Sequence, residues 1–148
     1  VPGGDRTCED FGLHGEQFDV PRIKCGPEPV RPITITVGGH SKAALRRAAR
    51  LEDGWVAAIV TREGMRGLKA LLDGYRKEFG TDAKEDYIVQ GMLSDIEVFD
   101  PDGYREAEDM GLTDVTVSAW GVYDTEELSL PERLDRIKQF ADEVLTKF

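Results

Sequence analysis

Pro32-Ile33-Thr34-Ile35-Thr36-Val37-Gly38-Gly39-His40-Ser41 packs a strand, a corner and the start of a helix into one short stretch. Ile33, Ile35 and Val37 alternate with Thr34 and Thr36, all β-branched, and Pro32 sits only at the beginning, so residues 32–37 are predicted to form a strand. Gly38-Gly39 turns the chain, and Ser41 is the expected N-cap, its hydroxyl serving an unpaired amide of the first helical turn. Leu45, Ala48 and Ala49 then share one apolar face, while Lys42, Arg46 and Arg50 form a basic stripe read as a solvated outer face. Asp53-Gly54 ends the helix, glycine suiting a left-handed C-terminal turn.

Outward from this unit the same alternation repeats. Trp55–Val60 is an apolar run of strand length, with Trp55 read as core. Met65, Leu68, Leu72, Tyr75 and Phe79 recur at helical steps and predict a helix over 63–79, stopped by Gly80. A third strand is expected over Ile88–Phe99, interrupted by Gly91, then a short helix over 102–110 ending at Gly111, then a fourth strand over Val115–Trp120. Ser129 and Glu132 have capping-box spacing with Pro131 in the first turn, and Leu134, Ile137, Phe140, Ala141, Val144 and Leu145 predict a buried stripe on the last helix. Upstream, residues 1–31 are rich in Gly and Pro and are expected to be an irregular lead-in, leaving 32–148 as the βα units. Strands separated by helices imply parallel pairing, so the α/β chain is either a small doubly wound sheet or about half of a TIM-type eightfold barrel.

The 148 residues carry 19 Lys and Arg against 29 Asp and Glu, a net charge of −10, which argues against a nucleic-acid partner. At 40% hydrophobic and 32% charged the chain is neither disordered nor membranous, and no run approaches a membrane span. Cys8 and Cys25 are too few for a disulfide scaffold or a cysteine-built zinc site, and no secretion signal is visible, so a cytoplasmic setting is expected. Val1 rather than Met opens the chain, which suggests a piece of something longer.

The strongest chemical feature is the strand, Gly38-Gly39-His40-Ser41, helix sequence. Glycines let a backbone approach a ligand, and a helix start offers free amides and a partial positive charge, a geometry that suits a phosphate. The competing reading is a tight turn and nothing more. His40 reads equally as a donor to an anion or as a solvated turn residue. Neither the G-x-G-x-x-G nor the Walker pattern is present. His14 and His40 lack metal-ligand spacing, and Ser94 and Ser118 lack a nucleophile elbow. Asp53 reads as helix-end solvation more readily than as part of a site, and Glu9-Asp10 and Glu126-Glu127 read as surface charge.

Residues 31–55, from the proline lead through Gly38-Gly39 and an Ala- and Arg-rich helix to Asp53-Gly54-Trp55, resemble the luciferase-like monooxygenase family. The stretch His14-Gly15-Glu16-Gln17-Phe18 is similar to that family's His-Gly-Glu segment, and Asp114-Val115-Thr116-Val117 followed by a capped helix is similar to its close. The resemblance covers the C-terminal half of such proteins. It implies a barrel that binds reduced FMN or a deazaflavin coenzyme at the C-terminal strand ends. Coenzyme phosphate is implied near Gly38 and Gly39, with His40 and Ser41 adjoining and Ala57 and Ala58 close by. It implies an oxidoreductase acting on a small-molecule substrate, but supplies no catalytic acid, base or nucleophile within this stretch. The alternatives are a non-catalytic phosphate-ligand or dimerisation module, including a homodimer of two half-barrels, and a purely structural corner.

Overall fold

The lead-in expected to be irregular contains a hairpin. The computed structural model describes residues 11–24, 30–51, 53–120 and 128–148, which fall into two units, residues 1–34 and 35–148. In the first, β1 (Phe11–His14) pairs antiparallel with β2 (Asp19–Ile23). The Gly15 amide donates to the Phe18 carbonyl at 2.9 Å, and the His14 ring pairs with the Asp19 carboxylate across the turn. These strands are short, carry Gly12 and Pro21, and slip register between Phe11 and Leu13, so no alternation announces them. Pro21 is tolerated because each strand of a two-stranded ribbon has an unpaired edge. The expectations placed on Cys8, Glu9, Asp10, Cys25, Glu126 and Glu127 lie outside the described residues.

In the second unit, β3 (Thr36–Gly38), β4 (Gly54–Val60), β5 (Ile88–Leu93) and β6 (Asp114–Val115) form one parallel sheet in the order β3-β4-β5-β6. The crossovers are α1 (Lys42–Leu51), α2 (Arg62–Phe79) and α3 (Pro101–Asp109), and α4 (Leu130–Glu143) with a short 3-10 turn closes the chain. A doubly wound sheet reverses its strand order at a switch point. Among the described residues this sheet does not, and its sequential order is that of a barrel wall.

Three of the four strands are shorter than predicted, and β4 is one residue longer. The ladder begins only at Thr36 opposite Gly54, so residues 32–35 are not part of it. β5 stops at Leu93 because the chain then turns to bring Asp95 and Asp100 to the starts of α2 and α3. β6 is reduced to Asp114–Val115, and after the Thr116 amide donates to the Gly91 carbonyl at 2.8 Å the chain leaves the sheet.

The core lies between the sheet and its helices. Leu45, Ala48 and Ala49 of α1 and Met65 and Leu72 of α2 bury against Trp55 and Ala57 of β4 and Val89 of β5. Lys42, Arg46 and Arg50 are exposed, as the reading of a solvated outer face predicts, but Arg46 also has partners there. Its guanidinium grips the Glu78 carboxylate with two bonds of 2.9 and 2.8 Å and lies over the Tyr75 and Phe79 rings, clamping α1 to α2. The predicted buried stripe of α4 is corrected. Leu134, Ile137 and Leu145 remain 48%, 47% and 59% exposed, and only Val144 is fully buried. Periodicity marks an apolar stripe but says nothing about whether an element lies opposite it. Here the Phe140 ring of α4 meets the Tyr104 ring of α3 edge-on at 5.7 Å. The capping interaction is present, with the Ser129 amide donating to Glu132 at 2.7 Å. Among the described residues no helix is long and apolar enough to cross a membrane.

Two glycines separate close approach from mere permissiveness. A Cβ at Gly54 would lie 2.7 Å from both the Cβ and the carbonyl oxygen of Ile88, whereas a Cβ at Gly67 in α2 would meet nothing. Gly54→Ala should therefore destabilise the protein by about 1–3 kcal/mol through overpacking. Gly67→Ala should stabilise it by about 0.5–1 kcal/mol through helix propensity. Urea unfolding midpoints at an unchanged m-value check both.

Candidate functional site

Parallel pairing brings the C-terminal ends of β3 to β6 to one edge of the sheet. At the end of β3 the backbone of Gly39 has φ +124°, which an L side chain rarely adopts, and a Cβ there would sit 3.0 Å from the Ala44 Cβ. Gly38 is less constrained, since its Cβ would lie 3.6 Å from Val56 Cγ1. The corner is held from below by β4. Trp55 Nε1 donates to the Gly39 carbonyl at 2.8 Å, and the Gly39 amide reaches the Val56 carbonyl at 3.4 Å.

Ser41 caps α1 as expected, its Oγ accepting from the Ala44 amide at 3.2 Å. Among the described residues no protein group accepts from the amides of His40, Ser41, Lys42 or Ala43, and the His40 ring is exposed. The other helix starts differ. The Asp95 carboxylate accepts from the Arg62 amide at 2.9 Å at α2, Asp100 caps α3 through the Asp102 amide at 3.0 Å, and Glu132 occupies the first turn of α4. The first turn of α1 contains no acid and begins with Lys42. In a chain of net charge −10, this mouth is one whose partial positive charge meets no acid in its own first turn.

Ala57 and Ala58 part company. Ala57 is fully buried against the helices, whereas Ala58 is exposed on the opposite face of β4. Ile59 follows with φ +52°, a left-handed conformation that a β-branched residue adopts at a cost of roughly 1–3 kcal/mol. It sits in a bulge, where β4 advances from Ala57 to Val60 while β5 advances from Gly91 to Leu93. Ile59 also borders a cavity of about 160 Å³ with Met92, Ser94, Tyr104, Thr116 and Ser118. Sequence reading did not find this cavity, because its hydroxyls come from separate loops with no shared spacing. The Tyr104 hydroxyl donates to the Val98 carbonyl at 2.9 Å, and burial together with the charge of Asp100 pushes its phenol up to about 12. That phenol stays protonated at neutral pH, so the cavity offers hydrogen bonds rather than a base.

Asp53 is not at this edge, and its partly buried carboxylate is paired as well as solvated. At the N-terminal end of β4 its carboxylate accepts from the Ile35 amide at 3.0 Å and from Lys84 Nζ at 2.8 Å, tying the residue before β3 to the segment before β5. The structure leaves His14 in the first unit, exposed and paired with Asp19.

No family model matches the chain. It is 37% identical over 149 residues to uncharacterized proteins of Mycobacterium tuberculosis and Mycobacterium bovis, an alignment covering 97% of this chain and 49% of each relative. The chain thus spans about half the length of the curated relatives it matches. Among solved structures it is similar to the coenzyme F420 dependent tetrahydromethanopterin reductase from Methanopyrus kandleri, with a TM-score of 0.59 and 13% identity over 85% of this chain and 56% of that one. The likeness is one of fold. The four-stranded parallel sheet and its helices match part of that fold, and the sequential strand order is that of the TIM-type barrel, the second of the two architectures the βα order allowed.

The base of this edge is braced by charge. Glu106 of α3 accepts from Arg62 Nη1 at 2.6 Å and also from Arg66, and Arg62 reaches Asp95 at 3.4 Å. Hydrogen bonds from Arg62 and then Arg66 hold the Glu106 carboxyl below its ordinary 4.5. A carboxyl lowered in the folded state contributes stability above its unfolded pKa and loses it as pH falls through the folded value. Glu106→Gln should lower the urea midpoint at neutral pH, and the two proteins should converge as pH drops below 4.5. A constant difference across that range would show that the charge is not what Glu106 contributes.

Proposed function

We propose that the mouth of α1 binds the phosphate of a flavin or deazaflavin coenzyme, and that the chain is the coenzyme-phosphate part of a luciferase-like oxidoreductase. The carrying observation is that α1, alone among the four α-helices described, starts without an acid while its first amides are left without protein partners. The position supports the reading, since ligands of parallel α/β folds gather at the C-terminal strand ends. The fold likeness to a coenzyme F420 dependent reductase supports it too, and favours a deazaflavin over FMN.

In this reading Gly39 keeps the corner bare, the amides of His40, Ser41, Lys42 and Ala43 donate to phosphate oxygens, and Ala58 borders the ligand. The helix dipole supplies only about 0.3–2 kcal/mol, so charge-assisted hydrogen bonds carry most of the affinity. The acidic remainder of the chain repels an anion at long range, but salt screens that field beyond about 8 Å. The coenzyme, when bound, supplies the redox chemistry, and the residues here bind and orient it. A small-molecule substrate would meet the coenzyme along the same edge. A second reading, a dimerisation module, draws on the uncovered Leu134 and Ile137 of α4 and is removed by a monomeric mass in solution.

The test separates helix stability from anion binding. Ser41→Asp keeps an equally good N-cap but puts a negative charge at the mouth. It should leave thermal stability unchanged or slightly higher, while weakening the phosphate-bearing coenzyme roughly tenfold, or about 1.4 kcal/mol. Gly39→Val, forced against both φ and Ala44, should weaken it at least as much. Fluorescence titration with FMN and with the deazaflavin coenzyme reads both, and unchanged affinity in the two variants would remove the anchor.

A further inference from the structure

The corner between β3 and α1 presents a physical difficulty. Gly39 is needed for its backbone angle, but glycine leaves the neighbouring peptide planes free to rotate. The peptide joining Gly39 to His40 carries a carbonyl on one side and an amide N–H on the other, pointing in opposite directions across a planar trans unit. In one orientation the amide faces outward and can donate to an anion. In the reverse orientation a carbonyl oxygen faces outward and repels it. Something outside the corner must select between them.

The Gly39 amide cannot do so. It belongs to the preceding peptide, and its 3.4 Å reach to the Val56 carbonyl is long. Trp55 can. Its side chain is fully buried on the helix-facing side of β4, and a buried indole N–H requires an acceptor. The acceptor is the Gly39 carbonyl at 2.8 Å. That bond draws the carbonyl inward and thereby directs the His40 amide outward, where no protein group among the described residues accepts from it. We infer that Trp55 is a positioning residue for anion binding: through the Gly39 carbonyl it holds the His40 amide aimed into the mouth of α1. The inference rests on the reading of that mouth as a phosphate site. It adds a residue that never touches the ligand yet sets whether the site is formed in advance. Tryptophan suits the task because one side chain supplies both a large apolar body for the core and a donor at its rim. A phenylalanine would fill most of the same space without the donor.

The experiment compares binding of phosphorylated and phosphate-free ligands in the wild-type chain and in Trp55→Phe. The ligands are FMN against riboflavin, and the deazaflavin coenzyme against its phosphate-free ribityl core. Wild type should prefer a phosphorylated form at least tenfold. Trp55→Phe should cut that preference to within threefold while leaving the affinity for the phosphate-free form unchanged, a split that a general loss of packing would not produce. If wild type shows no preference for either pair, the phosphate reading itself falls and this inference falls with it. If wild type shows the preference and folded Trp55→Phe keeps it, the phosphate site stands and the role of Trp55 is overturned. Should Trp55→Phe fail to fold, amide NMR of the wild type decides. The preferred phosphorylated ligand, but not its phosphate-free partner, should shift the His40 amide and the Trp55 indole resonance together. A His40 amide that stays in place would refute the inference.

Discussion

The sheet is organised around a place where no side chain fits. Gly54 lies opposite Thr36 on one side and Ile88 on the other, and a Cβ there would come within 3.0 Å of Thr36 Cγ2 and 2.7 Å of Ile88. Three strands meet at this residue, where the β3–β4 and β4–β5 registers both begin. The first of these sets Val37 against Trp55 and Gly38 against Val56, which in turn determines where β3 ends and where the corner begins. It also turns Trp55 toward the helices, within reach of the Gly39 carbonyl. The candidate site is thus a consequence of strand packing on the far side of the sheet's midpoint, and not a feature of its loop alone.

Charge is distributed with the same economy. Asp95, Asp100 and Glu132 sit at the starts of α2, α3 and α4, each neutralising a helix end. Such placement is the stabilising default. α1 departs from it, using a neutral serine cap and a lysine in its first turn. Among the four α-helices described, α1 is the one whose first turn has no carboxylate, and the proposed phosphate site rests on that difference.

Much of this was legible in the sequence, for identifiable reasons. The helices of the second unit announced themselves through apolar steps of three and four and through caps, and Ser41, Gly80 and Gly111 stand where the chain needed them. The parallel order followed from alternation alone. What stayed hidden depends on partners distant in the chain. Asp53 became a clasp because Ile35 and Lys84 converge on it, and Arg46 became a clamp because Glu78, Tyr75 and Phe79 lie across from it. The opposite error arose at α4, whose regular stripe has no full covering. The hairpin of the first unit was missed because a glycine, a proline and a register slip erase alternation within so few residues.

The bulge at Ile59 has a mechanical meaning. A strand repeats every two residues and a helix every 3.6, so a junction between them must convert one phase into the other. Ala57 and Val60 both meet the helix-side core, although their separation is odd. The supernumerary residue supplies the half-step that makes this possible, and Thr61 then starts α2 with its Oγ accepting from the Gly64 amide. Each residue turns a helix by about 100°. Without the half-step, Met65 and Leu72 would swing away from the interior by that angle. The left-handed backbone of Ile59 works as a gear tooth, and its strain is what it costs to mesh two unequal periods.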